Sequence, residues 1–192
     1  MLILIIGLII FPVLHLMPTF APRQHDALVA RFGANRWRGI FSVISLIGLA
    51  LVVYGYSISP FIDVWYPPKG MTHLTLTLML FAVICLVASL MPAGHIATKT
   101  KHPMVLSVKI WALAHLLSNG DLRSILLFGT FLAWGVITRI SLKRRERAGL
   151  LTRAPFVSAK YDLYAVVIGL VAYVAIVLKL HELLIGVSPL PM

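Results

Sequence analysis

Two histidines stand inside apolar stretches of this chain: His15 in the first apolar run, and His115 in a segment bounded by His102-Pro103 and Asn119-Gly120-Asp121. An imidazole buried in hydrocarbon costs a few kcal/mol unless something satisfies it. Two histidines on different membrane helices are the donor set for the two axial positions of a haem iron. Trp111 precedes His115 by four residues and therefore shares its helix face, where its ring can lie along a macrocycle. Lys109 and Arg139 fall within apolar helices towards their basic ends. They either snorkel to the interface or hold an anionic edge such as a haem propionate or a phosphate. His102 sits at a helix mouth beside Pro103. The candidate cofactor-binding residues are thus His15, His115, Lys109, Trp111, Arg139 and His102, with His15 and His115 either ligating a haem iron or simply satisfying a neighbouring group.

Much other chemistry is excluded. There are six Asp and Glu among 192 residues, and almost none falls inside an apolar run, which argues against a carboxylate proton relay. No Walker loop, G-x-G-x-x-G, H-E-x-x-H or serine-triad order occurs. The lone Cys85 can form no internal disulfide and no cysteine metal cluster, and it reads as packing.

The elements that must carry these residues are membrane helices. The chain is 60% hydrophobic and 12% charged, which is too apolar for a soluble domain. Six apolar segments are expected as helices: 2–20, 39–57, 72–91, 104–118, 122–142 and 161–180. The fold class is therefore an all-α integral membrane protein, a bundle of six transmembrane helices. The whole chain, residues 1–192, is expected to form one transmembrane domain. The first segment has no basic residues before it and no small-residue cleavage site after it, so it reads as a retained helix rather than a signal peptide. Pro12 is expected to kink it. Counted from their basic ends, His15 lies ~8 Å and His115 ~16 Å along their helices. The kink or a tilted haem has to absorb that offset. Gly48 and Gly55 share one face of the second helix, and Gly129 with Ala133 forms a small-xxx-small pair on the fifth.

The net charge of +11 sorts by loop. The first, third and fifth loops are basic, with Arg23, Arg31, Arg36 and Arg38, then Lys99 and Lys101, then Lys143 to Arg147 with Arg153. The second and fourth are near neutral. The positive-inside rule places the odd loops in the cytoplasm and both termini outside. The basic residues are then topology signals, not a nucleic-acid surface, and the partner they imply is the lipid bilayer.

The stretch HPMVLSVKIWALAHLLSNGDLRSILLFGTFLAWGVITRISLKRR, with the opening MLILIIGLIIFPVLHLMPTFAPR and NRWRGIFSVISLIGLALVVYGY, resembles the NnrU family of bacterial membrane proteins. The resemblance covers nearly the whole chain. It implies a multi-pass protein of the bacterial inner membrane, associated with denitrification and nitric oxide reduction, with nitric oxide reductase or another membrane protein as partner. The family is similar in turn to the plant 15-cis-zeta-carotene isomerase, a haem b enzyme. That similarity implies ligands at His15 and His115. It also puts Ala112 where the isomerase has the cysteine implicated in ligand exchange. A second resemblance, through His102-Pro103, Arg139 and Glu146, is to isoprenylcysteine-type membrane methyltransferases. Their Arg-His-Pro is Lys-His-Pro here, and one of their paired glutamates is missing. The sequence thus leaves three readings: a haem site in nitric oxide metabolism, a methyltransferase-like enzyme, and a non-catalytic factor assisting nitric oxide reductase assembly.

Overall fold

The computed structural model describes residues 1–190, and among them the chain is helical with no β-strand. The helices are α1 (Leu2–Phe20), α2 (Pro22–Phe32), α3 (Ala34–Ile58), α4 (Met71–Ser89), α5 (His95–Thr100), α6 (Pro103–Ser118), α7 (Leu122–Arg147) and α8 (Lys160–Ile185). Five of them, α1, α3, α4, α7 and α8, are long and apolar enough to cross a membrane. The sixth expected span, α6, has 16 residues, or ~24 Å, which falls short of the ~30 Å hydrocarbon core. It begins at Pro103, preorganised for a first helical turn, and packs along α4.

Several boundaries differ from the sequence expectation, each for a local reason. Residues 21–38 were expected as a polar loop, but 22–32 form α2. Pro22 starts it and Gly33, at φ +78°, ends it. None of its residues is buried, so it is a surface helix whose arginines stay in solvent. The basic third loop contains the short α5. The charge run Lys143 to Arg147 continues α7 as a polar extension beyond the apolar residues 122–142. The last helix continues past Leu180 through a π-helical turn, Ile176–Leu180, to Gly186 in the left-handed region. His181 is therefore helical rather than part of a tail.

The helices gather into two compact units. The first comprises Met1–Trp65 and Gly120–Trp134. Here α1 packs against α3 backbone to backbone, as the spacing of Gly48 and Gly55 suggested. A Cβ at Gly55 would lie 2.6 Å from Leu4 Cα, and one at Gly7 would lie 2.6 Å from Val52 N. Such contact is how helices associate in lipid, where burial supplies no drive. The stretch after α3 bonds to the turn before α7. Val64 and Trp65 N–H donate to the Gly120 carbonyl (2.9 and 3.1 Å), and Leu122 N–H donates to Ile62 (2.8 Å).

The second unit comprises Tyr66–Asn119 and the chain from Gly135 onward, with α4 packed on α6 and on α8. Polar bonds tie these helices. Thr75 Oγ1 donates to the Ala114 carbonyl (2.9 Å) and Tyr173 Oη donates to Leu76 (3.0 Å). Gly169 lets α8 approach Ile84, and Cys85 is a buried free thiol, as its packing role requires. Many large apolar side chains stay exposed, among them Val13, Leu46, Val53, Val171 and Leu178, which suits a lipid surround.

Gly129 and Ala133 do not repeat the glycine contact of α1 and α3: a Cβ at Gly129 would meet no described atom within 4 Å. The contrast is testable by unfolding in mixed micelles. Gly55→Ala should cost about 1–3 kcal/mol, as overpacking does, whereas Gly129→Ala should be neutral or slightly stabilising, because alanine is the better helix former. Equal effects at the two positions would refute the backbone contact.

Candidate functional site

In the first unit, α1 runs as one helix through Pro12 and Pro18 and carries His15. His15 Nδ1 lies 2.7 Å from the carbonyl oxygen of Phe11. A carbonyl only accepts, so Nδ1 carries the proton and the bond commits that edge of the ring. Proline at position 12 frees the Leu8 carbonyl, so His15 is not repairing a proline gap. Around the imidazole lie aromatic rings. Phe11 stacks at 4.2 Å, Phe41 meets it edge-on at 5.0 Å and Trp134 meets it edge-on at 6.1 Å. Phe41 and Trp134 come from helices distant in sequence, and no pattern along the chain singled them out.

In the second unit, α6 carries His115, whose Nδ1 lies 2.9 Å from the Trp111 carbonyl. The arrangement is that of His15, one turn back along the helix, with no proline nearby. The Trp111 ring lies 5.6 Å from the imidazole, as the four-residue spacing required. His115 also lines a cavity of about 230 Å³ between α4, α6 and α8, with Thr75, Ser118, Asn119, Tyr173 and His181. The His181 ring is 6.5 Å from that of His115, inclined by 20°, and its Nδ1 donates to the Val187 carbonyl (2.7 Å). Sequence reasoning missed His181 because the last helix was expected to stop at Leu180. The π-turn just before it is the structural signal, since such turns recur at functional sites.

Lys109 and Arg139 lie in the same unit. The aliphatic stem of Lys109 rests on Gly135, where a Cβ would stand 2.6 Å from Lys109 Cγ. The glycine on α7 thus makes room for the lysine stem. One turn on, Arg139 Nη1 is buried with no hydrogen-bond partner, and so is Thr138 Oγ1. A buried guanidinium nitrogen left unpaired is costly, and an anionic group is what would satisfy it. Taken singly, these groups have chemistry that a haem would use: an imidazole with Nδ1 committed to backbone in each unit and, in the second unit, an unpaired buried cation suited to a propionate. No three of His, Cys, Asp and Glu gather into a side-chain metal cluster among the described residues.

His102 has a different setting. Its Nε2 is 2.6 Å from Glu146 Oε1, and Glu146 Oε2 accepts from Arg153 Nη2 at 2.6 Å. The Glu146 side chain is 8% exposed. The network ties the start of α6 to the polar end of α7 and to the segment after it. The Arg153 guanidinium, helped by His102, holds the Glu146 carboxyl down to about 2, against an ordinary 4.5, and Glu146 pushes Arg153 up in return. The ends of the Asn-Gly-Asp turn are helix caps. Asn119 Nδ2 donates to the His115 carbonyl (2.8 Å). Asp121 accepts from Ser124 N–H (3.1 Å) and pairs with Arg123 (3.4 Å), which lies over the ring of Tyr56. Asn119 thus stiffens the end of the helix that presents His115.

A family model described as NnrU protein matches residues 3–189, so the chain belongs to the NnrU family. Neither curated proteins nor solved structures give a match.

The Glu146 network carries a pH signature. A carboxyl depressed in the folded state stabilises fully above its unfolded value and loses that contribution as pH falls through the folded one. The difference in unfolding midpoint between wild type and Glu146→Gln should therefore be constant above pH 4.5 and vanish as pH drops through about 2. A difference unchanged down to pH 2 would show that Glu146 does not act through its charge.

Proposed function

We propose that this NnrU-family chain is a six-span protein of the bacterial inner membrane that holds haem b through His15 and His115 and serves nitric oxide and denitrification metabolism. The observation that carries the reading is the shared preparation of the two histidines. Each gives its Nδ1–H to the carbonyl one turn back, at 2.7 and 2.9 Å. Ligating histidines are held this way, with the second nitrogen bonded so that tautomer and ring orientation are fixed. The remaining nitrogen, Nε2, is then the one directed to iron.

The supporting residues follow. Phe11, Phe41 and Trp134 exclude water around His15, and Trp111 braces His115. Arg139, with its unpaired buried Nη1, neutralises one propionate, and Lys109 on Gly135 reaches for the other. When bound, the haem supplies an iron able to exchange electrons or bind nitric oxide. The match over residues 3–189 takes in both units, which supports one transmembrane domain. In this reading α6 completes the sixth crossing beside α4, the basic ends face the cytoplasm, and both termini lie outside. The partner is nitric oxide reductase or another membrane protein. The methyltransferase-like reading has less support, because His102, its recognition residue, is taken up by Glu146, which Arg153 holds in turn.

The test is the visible spectrum of protein purified from haem-supplied cells. A Soret band is expected. His15→Ala and His115→Ala should each abolish or shift it, while His25→Ala, a half-buried position on α2 paired with Asp26, should not. Protein without a Soret band would contradict the haem reading. So would a band untouched by both substitutions.

A further inference from the structure

A second cavity, of about 500 Å³, opens where α4 ends and α6 begins. Its walls are small and apolar, with Ala93, Ala97, Pro103 and Ala154 among them, and its charged lining residues are Lys101 and Arg153. It lies at the level where apolar helices give way to the basic segments. Three ties hold its walls. Val157 N–H donates to the Ala93 carbonyl (2.8 Å). The Asp162 carboxylate accepts from His95 and Ile96 N–H (2.7 and 2.8 Å). Glu146 fixes Arg153, a lining residue, through Nη2.

Lys101 supplies an independent observation. It has φ +69°, and it is the only residue other than glycine with positive φ among those described. The position caps α5 with ψ −45°, outside the left-handed helical region, in a tight turn where His102 N–H donates to the Thr100 carbonyl (2.9 Å), a rare and strained geometry for a side-chain-bearing residue. Strain of this kind persists where the side chain is used. Here the side chain is a cation on the rim of a largely apolar cavity.

We propose that this cavity seats the phosphate headgroup of an anionic phospholipid. Lys101 and Arg153 engage the phosphate, and the glycerol and upper acyl chain lie against Ala93, Ala97 and Ala154. The cationic rim accounts for the anion. The apolar walls, which a free phosphate would not need, account for the lipid. Glu146 does not compete for this role: it spends its two oxygens on His102 and Arg153 and positions the guanidinium.

The test is lipid binding by the full chain in detergent, read by native mass spectrometry. Phosphatidylglycerol is compared with phosphatidylcholine of the same acyl chains. Membrane-surface attraction contributes about fivefold in affinity per basic side chain, so phosphatidylglycerol should bind about 25-fold tighter. Lys101→Gln, which leaves the Glu146–Arg153 bond in place, should cut the preference about fivefold. The double variant Lys101→Gln/Arg153→Gln should bring it to parity. Ala154→Leu, which narrows the cavity and keeps both charges, should also weaken phosphatidylglycerol. Parity in the wild type, or a preference untouched by Lys101→Gln, would overturn the proposal. Displacement of the lipid by equimolar inorganic phosphate would overturn it in favour of a free-anion site, and displacement by S-adenosylmethionine in favour of a methyl-donor site.

Discussion

A polar group inside a lipid-embedded protein has no water to turn to, and leaving it unpaired costs a few kcal/mol. The residues of this chain are placed under that constraint. Thr75 reaches the Ala114 carbonyl and Tyr173 reaches that of Leu76. His15 and His115 each turn back to the carbonyl four residues earlier. Against this background Arg139 Nη1 stands out, because it is buried and unpaired. Ser45 Oγ, Trp134 Nε1, Thr138 Oγ1 and Arg123 Nε are also buried without a hydrogen bond, but an unpaired guanidinium is the costlier case.

The two units meet the constraint in different ways. The first brings α1 and α3 together through glycines, so close backbone packing holds it. Besides the His15 bond, its polar chemistry gathers at the turn at Asp121, where Arg123, Tyr56, Ser59 and Ser124 form one bonded group. The second unit uses side-chain bonds between helices and encloses cavities. The capping bond from Asn119 to the His115 carbonyl connects the turn motif to the site: it steadies the last turn of α6, on which the imidazole is carried.

Much of this was legible in the sequence. Runs of apolar residues located the five long helices and α6. Pro103 marked where α6 starts, and Trp111 and His115 were placed on one face by spacing alone. What was not legible depends on partners far apart in the chain. His102 and Glu146 are separated by 44 residues, and His95 and Asp162 by 67. No local pattern announces that His102 is held by a carboxylate. The helical character of 22–32 was hidden because its apolar content is low and its arginines read as loop. The extension of α8 to His181 was missed because a π-turn leaves no composition signal. The division of the candidate residues, with His15 in the first unit and His115, Lys109, Trp111, Arg139 and His102 in the second, follows from contacts that the order of segments does not reveal.

The central claim is that two histidines are prepared alike, each with its proton on Nδ1. Nitrogen-15 solid-state NMR of histidine-labelled protein in lipid bilayers, assigned by single histidine substitutions, measures this directly. The account predicts that both His15 and His115 carry the proton on Nδ1, with Nε2 unprotonated or shifted by a bound metal. A proton on Nε2 of either residue would contradict it, because the ring would then turn its occupied nitrogen towards the position that a ligand has to take.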